Sequence, residues 1–331
     1  MAAIALRSPQ YKYAAAGTGA NSAKITISID GTIEYTLVKS ATAGANMLWE
    51  IAELCRDFIN ITYDGSYTAE TLAIISTLTS HASTDGSGTA LTTSTITDVG
   101  YDGYGTFTEG SNPTVPFGSR PTWLLSGDPD HTGINDEYYI YVPNNTSGSV
   151  PYITAAEALG YSTYSTSDTD IQGSPAGIRM NINRIDCTKY GNGHKITFVN
   201  KFGALQDLWF FLKSVNTTTK KQEQFQRVVI NTAGVYSPYV HTKQDYNTVA
   251  NTSITLSSGY YPEWANQWFE QLLLSEQVWL TRTKPFNPSQ NEVVPVNVKK
   301  NNLVKKTSLN DKLIDYTFDF DMSFDYINNI R

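Results

Sequence analysis

From Ile314 to Tyr326 every even position of the chain is apolar: Ile314, Tyr316, Phe318, Phe320, Met322, Phe324 and Tyr326. The odd positions are Asp315, Thr317, Asp319, Asp321, Ser323 and Asp325. A helix would scatter these side chains around its axis, whereas a strand sorts them onto two faces. The spacing predicts one long strand with an aromatic face on a core or subunit seam and an acidic face outward. At about 3.3 Å per residue that strand would span roughly 43 Å, a length suited to a large sheet or barrel. Tyr316, Phe318, Phe320 and Phe324 are its candidate core or seam residues.

The rest of the chain reads in the same register. Lys24–Ile29 and Thr32–Val38 alternate around Asp30-Gly31, a strong hairpin signal. In the run Asn46–Asn60, Leu48, Ile51, Leu54, Cys55 and Phe58 fall on one stripe, which predicts an amphipathic helix with Asn46 as its cap. Ala69–Leu78 fits strand or helix. Residues 80–178 are crowded with turn formers, and they read as a loop-rich insertion or satellite domain containing the strand Tyr138–Pro143. Strands are expected at Ile178–Cys187, on both sides of Lys201-Phe202-Gly203, at Gln226–Val240 and at Asn251–Ser258. Further strands are expected at Val278–Arg282 and Pro295–Lys300. Pro262 opens a helix over 262–275, where Ala265, Trp268, Phe269, Leu272 and Leu273 form an apolar stripe. Trp268 and Phe269 join the candidate core or seam. The expected fold is mainly β with a few amphipathic helices (α+β): split β-barrel or sandwich domains, each flanked by a helix. The parts divide at 1–79, 80–178 and 179–331.

Charge separates two regions. Residues 1–178 hold 6 Lys/Arg against 18 Asp/Glu, a balance of −12, and residues 179–331 hold 18 against 13, a balance of +5. The two regions can attract each other, within a chain or between copies, and neither is basic enough to predict nucleic-acid wrapping. No hydrophobic run approaches a membrane span, and no leader of signal-peptide length opens the chain. Cys55 reads as a buried free thiol, with a bond to Cys187 as the less favoured option.

Chemistry-bearing motifs are absent from the sequence. There is no nucleophile elbow, no phosphate loop and no zinc-protease helix. The histidines His81, His131, His194 and His241 are scattered, so no catalytic residues, cofactor or metal are expected and the chain does not read as an enzyme. Asp128, Asp130 and His131 lack the remaining ligands of a calcium loop and read as a solvated turn. Trp209, Phe210, Phe211, Trp264, Trp268 and Trp279 read as core or interface rather than as a sugar platform. The acidic row Asp315, Asp319, Asp321 and Asp325 admits three readings. It can pair with Lys299, Lys300, Lys305 and Lys306. It can be a solvated face. Or it can line an electronegative lumen that repels DNA phosphates.

The runs KITFVNKFGALQDLWFFLKS, WANQWFEQLLLSEQVWL and PVNVKK with LNDKLIDYTFDFDMSFDYINNIR resemble, over residues 180–331, structural proteins of tailed-bacteriophage tails and virions. That resemblance implies a virion component made in the host cytoplasm, with no catalytic residues. It implies a homo-oligomeric ring, three- or six-fold, contacting other tail proteins, with transient passage of DNA and no membrane insertion. The length of the chain and its 80–178 segment favour a hub, baseplate or completion role over a plain tube subunit. The alternative is a receptor- or glycan-binding module of a virion, using aromatic turns such as those at Tyr101 and Tyr104.

Overall fold

A computed structural model describes the chain apart from residues 15–18, 41–45, 116–121, 124–136, 155, 173–178, 187–192, 285–286, 300–301, 308–311 and 327–331. The described residues are mainly β, with two short α-helices and two 3-10 turns.

The N-terminal unit contains β1 (Ala2–Ala5), β2 (Tyr11–Ala14), β3 (Ser22–Ile29), β4 (Thr32–Ser40), β5 (Met47–Glu50), α1 (Ala52–Arg56), β6 (Leu72–His81) and β7 (Ala90–Tyr101). Five of its strands form one sheet in the order β1-β7-β6-β3-β4. The Asp30-Gly31 turn forms as expected, with both residues at positive φ. Ile25, Ile27 and Ile29 are buried, and the β2–β5 antiparallel pair with α1 covers them through Met47, Trp49 and Cys55. Cys55 is a free thiol, and burial pushes it up to about 12.

Two expectations change here. The helix over Asn46–Asn60 shrinks to α1, because Met47, Trp49 and Ile51 also alternate and Tyr11–Ala14 offers them a ladder. Asn46 therefore caps nothing helical. Ile51 sits at the cap, and the Glu50 carboxylate accepts from the Ala52 N–H at 2.8 Å instead. The break at residue 79/80 also crosses a sheet, since β7 pairs along all of β6. Its alternation is carried by Thr and Ser rather than by large apolar residues, so the sequence reads as loop.

A middle layer follows: β8 (Thr122–Trp123), β9 (Glu137–Pro143), β10 (Gly148–Ile153), β11 (Leu159–Tyr164), β12 (Asp170–Gln172) and β13 (Arg179–Ile185). They form the three-stranded sheets β11-β10-β8 and β12-β13-β9. Ile140, Val142, Val150, Tyr164, Met180 and Ile182 make a small core that Trp209 completes. Tyr101 is fully buried and donates to the Glu157 carbonyl at 2.5 Å, so it is not a surface aromatic.

The C-terminal unit contains β14 (His194–Val199), β15 (Leu205–Phe210), β16 (Ser214–Gln226), β17 (Lys243–Ser257), β18 (Tyr261–Pro262), α2 (Asn266–Leu274), β19 (Val278–Lys284), β20 (Asn287–Val298), β21 (Leu313–Ile314) and β22 (Thr317–Met322). Seven of these strands pair in the order β15-β14-β19-β20-β22-β17-β16. Phe211 N donates to Ser258 O, Leu212 N to Ser257 O, and Ser257 N to Lys213 O, so the residues between β15 and β16 stay in the β17 ladder. The hydrogen bonds thus run full circle and the sheet closes into a barrel, with residues 205–226 as one bent wall strand. The core holds Phe198, Phe210, Leu256, Leu280, Phe318 and Phe320, and α2 closes it with Trp268, Phe269 and Leu272. The Phe269 ring stacks on Phe318 at 6.0 Å and meets Phe210 edge-on at 6.4 Å. Burying each such side chain contributes about 1.5–3 kcal/mol.

The final strand is shorter than its alternation predicts. β21 pairs with β18 and β22 with β17 and β20, and residues 315–316 break the run between them. Tyr316 keeps its buried place, since its N–H donates to Ser258 Oγ and its hydroxyl to Asn266 Oδ1. After Met322 the chain leaves the sheet, and Phe324 and Tyr326 are exposed. Phe324 is therefore not a core residue: the paired run of β22 ends at Met322, and the bonds that follow, from Ser323 N to Pro295 O and from Tyr326 N to Ala250 O, leave the Phe324 side chain exposed. The expected strand across Gln226–Val240 is also absent. That segment turns, with one bridge between Ile230 and Tyr236.

Among the contacts of the described residues that join the N-terminal unit to the barrel, two are notable. Gly103 packs backbone to backbone on the turn at Lys201–Gly203. A Cβ on Gly103 would lie 2.6 Å from the Lys201 carbonyl, and one on Gly203 would lie 2.8 Å from the Asp102 N. Beside it, Arg7 donates twice to Asp102, at 2.9 and 2.6 Å. The second contact is a polar clamp. Lys195 Nζ on β14 donates to the hydroxyls of Tyr63 (2.7 Å) and Tyr67 (2.9 Å). Tyr67 in turn donates to Asp207, as does Thr197 Oγ1 at 2.6 Å. Burial alone would lower the Lys195 pKa, but Asp207 and Tyr63 outweigh it and the net shift is upward.

Candidate functional site, a projecting arm and an acidic row

β16 and β17 pair from Ser214↔Leu256 out to Gln226↔Lys243. At about 3.3 Å per residue the ladder is roughly 43 Å long. Its root belongs to the barrel wall. From Asn216 outward every described residue of β16 is exposed, and so is β17 from Lys243 to Asn247. The outer ladder thus has no third layer among the described residues. An isolated two-stranded hairpin is marginal in water. Here the Phe225–Tyr246 ring pair, with centroids 5.6 Å apart, supports the outer end. Asp245 adds bonds from Lys220 (3.0 Å) and Gln224 (2.8 Å).

The tip is apolar. Val228 is 86% exposed, Tyr239 92%, Tyr236 64% and Val235 61%. Contiguous exposed apolar side chains at the end of an extended element mark a contact surface. The arm is also locally basic: Lys220, Lys221, Arg227 and Lys243 outnumber Glu223 and Asp245. Among the described residues no group of three or more His, Cys, Asp or Glu is placed to hold a metal ion. Asp128, Asp130 and His131 lie outside the described residues.

The acidic row does not act as one face. Lys306 Nζ lies 2.6 Å from Asp315, and Lys299 Nζ 3.4 Å from Asp321. Asp319 accepts from Thr255 Oγ1 at 2.5 Å, and Asp325 follows the end of β22 on an exposed stretch. Lys305 goes to Glu270 instead, and Lys300 lies outside the described residues. Exposed pairs of this kind contribute about 0–1 kcal/mol each. The double variant Asp319→Lys with Asp321→Lys is therefore expected to fold, with its urea midpoint lowered only slightly. Loss of the folded state would show that the row does more for stability than these contacts suggest.

Comparison with protein-family models, with curated proteins and with solved structures finds no match to this chain. No helix among the described residues is long and apolar enough to cross a membrane.

The structure places Tyr316, Phe318, Phe320, Trp268 and Phe269 in the barrel's own core. The arm was not legible as such. Its strands carry Thr, Lys, Gln and Asn on both faces, so they lack the two-sided pattern that marks a buried strand. The available signal was length: two polar, Gly-free runs flanking Asn231–Gly234.

Proposed function

We propose that this chain is a structural component of a phage virion, a ring-forming tail hub, baseplate or tube-like protein that acts through protein–protein interfaces. The observation that carries this reading is the projecting β16–β17 arm with its exposed apolar tip. A closed barrel with one helix supplies a rigid base, and the arm extends a barrel strand to where a neighbouring copy can meet it. The charge division supports the same reading, because a basic arm on one copy complements the acidic residues 1–178 of the next. The ring order, the neighbouring tail proteins and the virion location belong to this proposal.

The test is to shorten the arm. Lys221 and Val249 face each other in the ladder. Replacing residues 222–248 with Asn-Gly gives a tight turn that the strand twist favours. Mass photometry of the full chain is expected to show rings, and the shortened chain is expected to be monomeric with an unchanged unfolding midpoint. Rings from the shortened chain would remove the arm from assembly. A full-length chain that stays monomeric and is absent from purified particles would overturn the whole reading.

A further inference from the structure

One end of the barrel is open. A cavity of about 910 Å³ lies there, bordered by residues of all seven barrel strands and by the turn at Asn144–Ser147. Ligand pockets run from about 300 to 1,000 Å³ and favour the mouths of β-barrels. Ile254, Leu280 and Met322, all buried, form an apolar floor. Residues directly opposite in an antiparallel ladder share a face. His194 is opposite Phe210 and Asn216 is opposite Ile254. Phe210 and Ile254 belong to the barrel core, so His194 and Asn216 stand on the inner face above that floor.

The lining has a distinct chemistry. Among the described residues no Asp or Glu borders the cavity. Its two cations are already matched from outside the lining, Arg282 by Glu292 at 2.7 Å and Lys195 by Asp207 at 3.6 Å. What remains is neutral: the amides of Asn145, Asn216 and Asn291, the hydroxyls of the Thr residues, and the His194 imidazole, whose pKa burial lowers. The Oγ1 atoms of Thr252 and Thr281 also lack a hydrogen-bond partner among the described residues, but both are closed off from solvent and are not part of the surface a ligand would meet. Amides and hydroxyls both donate and accept, which suits vicinal hydroxyl groups, and an apolar floor suits the C–H face of a sugar ring. A phosphate or carboxylate would gain less, because both cations are occupied.

We propose that the barrel mouth binds a neutral saccharide, with Asn216 and His194 contacting ring hydroxyls over the floor of Ile254, Leu280 and Met322. The site is separate from the arm and does not rest on its role. The test is calorimetric titration of the full chain with maltotriose, chitotriose and a lactose-based trisaccharide, alongside inorganic phosphate and sodium glucuronate. The comparison variant is Asn216→Trp, at an exposed strand position that tolerates an aromatic residue and fills the mouth. Saturable binding of at least one neutral sugar, weakened about tenfold or more in the variant at an unchanged unfolding midpoint, is the expected result. The proposal is overturned if none of the three sugars binds at millimolar concentration, if Asn216→Trp binds as tightly as the natural chain, or if only the anions bind.

Discussion

Replacing Asp207 by alanine is expected to lower stability by about 3–5 kcal/mol, because it leaves the Lys195 ammonium charged in a largely water-free site. The Lys195 side chain is 16% exposed and that of Asp207 8%. Tyr63 and Tyr67 accept from the ammonium but carry no charge to offset it. Burial, together with the nearby Asp207 charge, raises the Tyr67 pKa, so the phenol stays protonated as a donor. The double variant Lys195→Met with Asp207→Leu removes both charges and is expected to recover much of the loss, since apolar replacements of buried pairs are often close to neutral. Urea unfolding of the three proteins decides this. A loss below about 1 kcal/mol for Asp207→Ala would show that water reaches Lys195. The sign of the pH dependence follows from the upward Lys195 shift. The clamp's contribution is complete at neutral pH and is lost only as alkaline pH rises through the raised lysine pKa.

Phe269→Ala should be comparably severe, at about 3–5 kcal/mol, because it opens a cavity where α2 meets the barrel. Phe269 contacts Phe210, Tyr261, Tyr316 and Phe318 at centroid distances of 5.0 to 6.4 Å. The matching control is Phe324→Ala. Phe324 was read from the sequence as part of the same aromatic face, yet it is 44% exposed. Its removal should stay within about 0.5 kcal/mol. Equal losses at the two positions would mean that the strand continues past Met322.

Phe269 and Phe324 show where the sequence is informative. Periodicity marks a residue that can face a core, and Phe318, Phe320, Trp268 and Phe269 all do. It does not say where a strand stops pairing, and β22 stops at Met322 although β17 and β20 run on, which decides Phe324. The Met47–Cys55 segment satisfies both a period near 3.6 and a period of 2, and only the partner strand Tyr11–Ala14 decides between them. Asp128, Asp130 and His131 lie outside the described residues, so the reading of that turn is unchanged. The barrel mouth was invisible for another reason. His194, Asn216 and Asn291 lie far apart in the chain, and no local spacing links them. The acidic row was visible as a row, but its partners Lys299 and Lys306 become specific only once β20 and the 302–307 segment are placed beside it.

The unbroken passage from β15 into β16 has a mechanical meaning. A force applied at the arm's tip has no hinge in which to dissipate. It travels along the backbone into the barrel wall and loads the β16–β17 hydrogen bonds in shear, many at once, instead of opening them one at a time. Among the described residues the weak point is the register shift between Lys221 and Glu223, facing Asn247 at positive φ. Under load the arm should bend or fray there first, leaving the barrel intact behind it.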